Sequence, residues 1–147
     1  TAKLEEFCHA FIHGDGEKME NILNRYLKQT ISIRDTSVRD AMKENFYHGI
    51  LLGLLSFQGS WYVRSNAERG DGFADIVVYD PDSETAVVVE IKYARDGSLE
   101  QACEKAIEQI EEKNYGENSA DSVFEEADRI RKCGVAFYKK KCKVKCV

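Results

Sequence analysis

The sequence predicts an α/β domain in which helices flank a mixed sheet. Two apolar runs, at 73–79 and 86–93, are rich in β-branched and aromatic residues and are separated by a turn-like segment at 80–84. Segments with apolar residues at three- and four-residue spacing precede and follow them. With 147 residues, of which 43% are hydrophobic and 32% charged, the chain is long enough to bury a sizeable core.

Three helices are predicted before the sheet. Residues 4–12 and 18–27 show helical periodicity and are separated by a break at 13–16. A packing surface explains this region better than a metal site at His9 and His13, because the sequence supplies no further ligand nearby. The third and strongest helix spans 37–57, with Thr36 or Ser37 available as its cap.

On one face of this third helix, apolar residues that should face the core are aligned with two polar residues nearer the start of the helix. The row consists of Glu44, His48, Leu51 and Leu55. Because Glu44 shares this core-facing row, it is a candidate for a site formed by the sheet. The alternative, left open by spacing alone, is that Glu44 faces water and His48 is hydrogen-bonded to backbone.

The three predicted strands, 60–66, 73–79 and 86–93, form an antiparallel meander. Pairing Tyr79 with Ala86 places Asp75 opposite Glu90, with Lys92 on the same face of the sheet. Two opposed carboxylates in a buried sheet are unfavourable unless a cation lies between them, and a hard divalent ion such as magnesium suits such ligands. A shift of one residue would remove this arrangement.

Two further residues are candidates for the surroundings of this site. Glu68 lies in the polar, glycine-rich loop that leads to Asp75. Gln109 lies beside Ala102 and Ala106 on a helix predicted over 98–114, either in the site or on the exposed flank of the helix.

The C-terminal part is predicted to contain a charged helix over 122–132 and strands over 133–138 and 143–147. Between these strands lies a lysine-rich turn, from which nucleic-acid contacts are assigned to Lys139, Lys140, Lys141 and Lys143. Because the net charge is −5, any contact with a polyanion must be local. The alternative to nucleic-acid contact is that this hairpin is exposed to solvent and its lysines only contribute solubility.

The five cysteines show no disulfide pattern and are predicted to be buried or edge thiols. A zinc site at Cys133, Cys142 and Cys146 is a weaker alternative because its spacing is atypical. No apolar run is long enough to cross a membrane and no signal peptide is evident, which favours the cytoplasm. Since the chain lacks an initiating Met, we expect a piece of a longer protein.

The order of helix, three strands, helix and closing strands, with Asp75 in the second strand and Glu90-Ile91-Lys92 in the third, resembles the PD-(D/E)XK nuclease superfamily. More closely, it is similar to the nuclease-like domain at the C-terminal end of bacterial proteins that begin with a predicted AAA-type ATPase domain. Ala74 stands where the family pattern has Pro. The segments that carry the resemblance are 44–49, 65–75, 89–92 and 109–115.

This resemblance implies a restriction-endonuclease-like αβββαβ core at 38–147, preceded at 1–37 by a helical lead-in from an ATPase region of the same longer chain. It implies that Asp75, Glu90 and Glu44 bind Mg²⁺ or Mn²⁺. Catalysis is assigned to Asp75, Glu90 and Lys92, with Lys92 orienting the attacking water. His48, Glu68 and Gln109 would support these residues from the periphery.

The implied activity is metal-dependent hydrolysis of phosphodiester bonds in nucleic acid, with DNA preferred over RNA as substrate. The alternative is a catalytically inactive nuclease fold that serves as a binding or regulatory module of an ATPase-containing protein.

Overall fold

The computed structural model describes residues 2–32, 39–66, 74–113 and 123–147. Its five-stranded sheet, flanked by helices, confirms the predicted α/β class and is consistent with a restriction-endonuclease-like fold. In chain order, the elements are α1 Ala2–Ile12, α2 Gly16–Thr30, α3 Asp40–Leu55, β1 Tyr62–Ser65, β2 Ile76–Asp80, β3 Thr85–Tyr93, α4 Leu99–Lys113, α5 Val123–Glu126, β4 Arg129–Tyr138 and β5 Lys141–Cys146.

The strands follow one another across the sheet in chain order, and the first three form the predicted meander. The predicted register of the β2–β3 hairpin is confirmed, since Val77 pairs with Val88 and Tyr79 with Ala86. Every residue of β2 is buried, as is nearly every residue of β3. The pairing of β3 with β4 is parallel, with α4 in the connection, and β5 is antiparallel to β4.

The two faces of the sheet have different coverings. One face packs against α1, α2 and α3 in the larger core, which includes Phe11, Leu51 and Val89. On the other face, Val77 and Val88 contact Ile110 of α4. Gly134 allows α4 to approach β4 closely, because a Cβ at this position would lie 2.9 Å from the carbonyl oxygen of Cys103.

Helix α2 covers the outer edge of β5. The Asn24 side chain donates from Nδ2 to the Cys142 carbonyl (3.2 Å) and accepts from the Cys142 N–H at Oδ1 (2.7 Å). The Val144 N–H donates to Glu20 Oε1 at 2.9 Å. These bonds satisfy backbone groups that an edge strand would otherwise expose. The N-terminal helices therefore share both the core and the hydrogen bonding of the sheet.

The predicted helix over 122–132 is confirmed at 123–126 and wrong at 129–132. Helix α5 ends at Glu126, and β4 begins at Arg129. Strand β4 pairs with the whole length of β3, from Thr85↔Arg129 to Tyr93↔Phe137. The backbone of the buried strand β3 needs hydrogen-bond partners on the side away from β2, and residues 129–132 supply part of them. Sheet pairing has thus overridden the local helical pattern.

The start of α3 also differs from the prediction. Helix α3 begins at Asp40, with Arg39 at its N-cap and no capping side chain. The predicted caps Thr36 and Ser37 lie outside the described residues.

Among the described residues, no helix combines the length and apolar character needed to span a membrane.

The cysteine prediction is corrected at one pair. Cys133 and Cys146 are partners in the β4–β5 register, with Cα atoms 4.3 Å apart, and the structure joins them in a disulfide. Their distance along the chain gave no sign of this register. The pairing removes two of the three thiols of the zinc alternative. Cys8, Cys103 and Cys142 are free and buried, as predicted.

Candidate active site

Two carboxylates meet where β2 begins beside β3. Ile76 pairs with Val89, so the same register places Asp75 beside Glu90. The Ile91 N–H donates to Asp75 Oδ2 at 2.7 Å, which fixes the Asp75 carboxylate against β3. Glu90 is only 3% exposed. The sheet thus brings together the two carboxylates that the sequence placed opposite each other.

Glu90 is held in an environment that opposes its negative charge. Burial, together with the nearby charge of Asp75, raises its pKa to about 8, although Lys92 and Lys113 act in the opposite direction. Within the described part of the chain, Glu90 Oε2 has no hydrogen-bond partner. A buried carboxylate with a free oxygen beside a second carboxylate suits a hard divalent cation, so these residues fit Mg²⁺ or Mn²⁺.

Gln109 contacts this pair directly. Its Nε2 donates to Glu90 Oε1 at 2.7 Å. Of the two positions that the sequence left open for Gln109, the structure therefore shows the one in the site. The close approach of α4 at Gly134 positions the helix that carries this amide.

A cavity of about 500 Å³ lies at the end of β3 and is lined by Glu44, Lys92 and Gln109, which come from three different elements. Glu44 reaches it from α3, whose position is fixed by Tyr47. The Tyr47 hydroxyl donates to the Lys139 carbonyl at 2.7 Å, and its ring stacks on Phe137 at 4.5 Å between centroids. The remaining lining residues are Tyr93, Ala94, Arg95, Asp96, Ser98, Gln101, Ala102 and Lys105.

His48 is not among the described residues that line this cavity. His48 Nε2 is 2.8 Å from the hydroxyl of Ser65 at the end of β1. Its partner is a side chain, and not the backbone that the sequence alternative supposed. Glu68 lies outside the described residues.

The four predicted lysines lie along the β4–β5 hairpin. Lys139 lies in the β4–β5 turn, with its carbonyl bonded to Tyr47 and its Nζ 5.2 Å from the centroid of the Tyr138 ring. Lys140 follows in the same turn, and Lys141 begins β5. Lys143 is farther along β5, where its Nζ lies 3.8 Å from Glu20 Oε1. Lys139 and Lys140 are thus the pair at the turn, whereas Lys143 faces α2.

The sequence reasoning missed Arg95 and Lys105, two cationic residues that line the cavity. A signal for Lys105 was present, because Gln101, Lys105 and Gln109 follow one another at four-residue spacing and so share one face of α4. Arg95 lies in the loop before α4, where no periodicity indicates direction.

The described residues contain no group of three or more His, Cys, Asp and Glu side chains positioned to hold a metal ion. Asp75 and Glu90 are adjacent, while Glu44 lines the cavity from α3. The site is therefore a pair of carboxylates with a third on the cavity wall.

A comparison with protein families gives one match. The family model described as the PD-(D/E)XK nuclease superfamily matches residues 42–146. No curated protein and no solved structure matches the chain significantly. The matched segment begins within α3 and ends with β5, so it contains Glu44, Asp75, Glu90 and Lys92 and excludes α1 and α2.

Proposed function

Because the chain belongs to the PD-(D/E)XK nuclease superfamily, we propose that it is a divalent-metal-dependent nuclease that hydrolyses phosphodiester bonds of nucleic acid. One observation carries the proposal beyond the family match. The buried carboxylate of Glu90 lies beside Asp75 and has an oxygen without a partner among the described residues. Such an arrangement is unfavourable in the absence of a cation and favourable in its presence.

Asp75 and Glu90 would hold Mg²⁺ or Mn²⁺, with Glu44 contributing from across the cavity. When bound, the cation lowers the pKa of a water molecule and neutralises charge at the phosphate. Gln109 occupies Glu90 Oε1 and so leaves Oε2 available. Lys92, two residues beyond Glu90 on the same strand face, orients the water and stabilises negative charge at the phosphate.

Cationic side chains near the site would bind the phosphates of the substrate. Arg95 and Lys105 line the cavity together with Lys92. Lys139 and Lys140 in the β4–β5 turn would contribute further positive charge. The Tyr47 hydroxyl of α3 is hydrogen-bonded to this turn. The resemblance favours DNA over RNA, and parallel assays of both nucleic acids decide between them.

The alternative function is a nuclease fold that binds a partner without catalysis. One observation favours it, namely that the described residues bring no three metal-ligating side chains together. Calorimetric titration with Mn²⁺ separates the two functions. A folded chain that binds no Mn²⁺ would be a binding module.

Two aspects of biological context stay predictions. Association with an AAA-type ATPase region rests on the sequence resemblance alone, and copurification of the full-length protein would test it. A cytoplasmic location rests on sequence features, and localisation of the tagged protein would test it.

The nuclease proposal is tested by incubating DNA and RNA with the protein in Mg²⁺, in Mn²⁺ and in a chelator. The wild-type protein should cleave only with metal, and Asp75→Ala should abolish cleavage. Asp82→Ala is a matched control, because Asp82 is an exposed residue in the turn of the same hairpin. Equal cleavage by the wild type and Asp75→Ala would refute the proposal.

A further inference from the structure

Asn66 is a buried polar residue that has no role in the proposed mechanism. Asn66 is 3% exposed, and within the described residues neither its Nδ2 nor its Oδ1 makes a hydrogen bond. Burying an amide in this state costs about 1–3 kcal/mol for each unsatisfied group. A ligand that bonded both atoms would remove that cost.

The position of Asn66 in the sheet relates it to the two carboxylates. Its backbone N–H donates to the Asp75 carbonyl at 2.9 Å, which continues the pairing of β1 with β2. Asn66, Asp75 and Glu90 therefore occupy neighbouring positions across three strands. Arg64 pairs with Val77 two residues earlier, so strand alternation assigns the Asn66 side chain to the face that carries Val77.

The other buried polar residues show that the fold normally satisfies such groups. Four are buried among the described residues: Asn66, Asp80, Thr85 and Glu90. Asp80 accepts from the Ser83 hydroxyl at 2.7 Å, and the Thr85 hydroxyl donates to the Ser83 carbonyl at 3.2 Å. The two that retain unsatisfied atoms, Asn66 and Glu90, are the two that flank Asp75.

We propose that Asn66 is a further residue of the active site, whose Oδ1 accepts a hydrogen bond from a water of the bound cation while Nδ2 donates to a phosphate oxygen of the substrate. This inference rests on the proposed function. An amide presents one acceptor and one donor side, which match a hydrated cation and a phosphate. Magnesium in particular keeps several of its waters when proteins bind it.

Asn66→Leu tests the assignment, because leucine has a similar size and needs no hydrogen-bond partner. In a chelator, this variant should unfold at the same or a higher urea concentration than the wild type, since it removes an unsatisfied buried amide. Its Mn²⁺ affinity, measured by calorimetry, should fall about tenfold or more, as for other residues that support a metal from outside its direct ligands. Cleavage should fall with it.

Two further variants complete the experiment. Asn66→Asp places an additional carboxylate beside the cation and should raise the affinity for Mn²⁺, an effect that a purely structural asparagine would not produce. Asn21→Ala, at an exposed position of α2, is the control and should retain wild-type stability and Mn²⁺ affinity.

Several results would overturn the inference: wild-type Mn²⁺ affinity in Asn66→Leu, loss of folding in both Asn66 variants, or failure of the wild type to bind Mn²⁺. A wild type that binds Mn²⁺ but cleaves no nucleic acid would instead refute the proposed function. In that case the calorimetric comparison of Asn66→Leu with the wild type still decides whether Asn66 supports the cation.

Discussion

Gln109 Nε2 donates to Glu90 Oε1 at 2.7 Å, so one oxygen of the buried carboxylate is fixed by α4 while the other has no partner among the described residues. The bond joins the helix on one side of the sheet to the central strand of the site. It holds the carboxylate in a single orientation before any cation arrives, which is the role of residues that surround metal ligands.

Removing this amide should weaken the site without unfolding the protein. Gln109→Ala is expected to lower Mn²⁺ affinity or turnover by about 10–100-fold, because Glu90 loses the bond that orients it. Calorimetry and a cleavage assay measure the two quantities. Gln29→Ala, at an exposed position of α2, should change neither. Wild-type values in Gln109→Ala would show that the bond has no functional role.

The raised pKa of Glu90 predicts how the metal-free protein responds to pH. Because the pKa in the fold is about 8 and the usual value is 4.5, the folded protein holds the proton more tightly than the unfolded chain. The metal-free fold should therefore lose stability as pH rises from about 4.5 toward about 8, by up to about 5 kcal/mol.

Glu90→Gln tests this, since its amide oxygen can still accept from Gln109 and carries no charge. In a chelator, the variant should be more stable than the wild type at pH 8 and similar to it at pH 5, as measured by urea unfolding. Metal binding should be lost. Parallel pH profiles for the two proteins would contradict the proposed burial of charge at Glu90.

Lys92 should affect turnover more than binding. It lines the cavity and lies two residues from Glu90, but its ammonium group is a cation and so cannot ligate a metal ion. Lys92→Ala is expected to keep the fold and the Mn²⁺ affinity while lowering kcat by about 10²–10³. Circular dichroism, calorimetry and single-turnover cleavage separate these effects. Lost Mn²⁺ binding in a folded variant would mean that Lys92 has another role.

Salt dependence identifies the cations that contact substrate phosphates. Lys105→Ala should reduce the slope of log affinity for duplex DNA against log salt by about 0.9, the value for one lost phosphate contact. Lys139→Ala should act similarly. Fluorescence anisotropy in a chelator measures the slope without cleavage.

Lys143 and Lys28 provide the comparison. Lys143 lies against Glu20, so Lys143→Ala should leave the slope nearly unchanged, as should Lys28→Ala at an exposed position of α2. Equal decreases for Lys105→Ala, Lys143→Ala and Lys28→Ala would indicate general electrostatic attraction instead of a defined path.

The central hairpin was predictable because strand periodicity and turn length act locally. Side chains alternate with a period of two, so the pairing of Val77 with Val88 determined which charges share a face. Helical spacing likewise made Glu44 a candidate for the site, and the structure places this residue on the cavity wall.

Features that depend on packing between distant segments were not predictable in this way. Residues 129–132 are charged and compatible with a helix, and they become strand because β3 needs a parallel partner. The bond between Gln109 and Glu90 depends on how closely α4 approaches β4 at Gly134. The pairing of Cys133 with Cys146 depends on the register of β5.

The most direct test of the metal site is a crystal structure of the protein grown with Mn²⁺, with anomalous scattering used to locate the ion. We expect one Mn²⁺ that contacts the carboxylates of both Asp75 and Glu90. An ion bound elsewhere, or no ion at this pair in a protein that cleaves nucleic acid with Mn²⁺, would contradict the account.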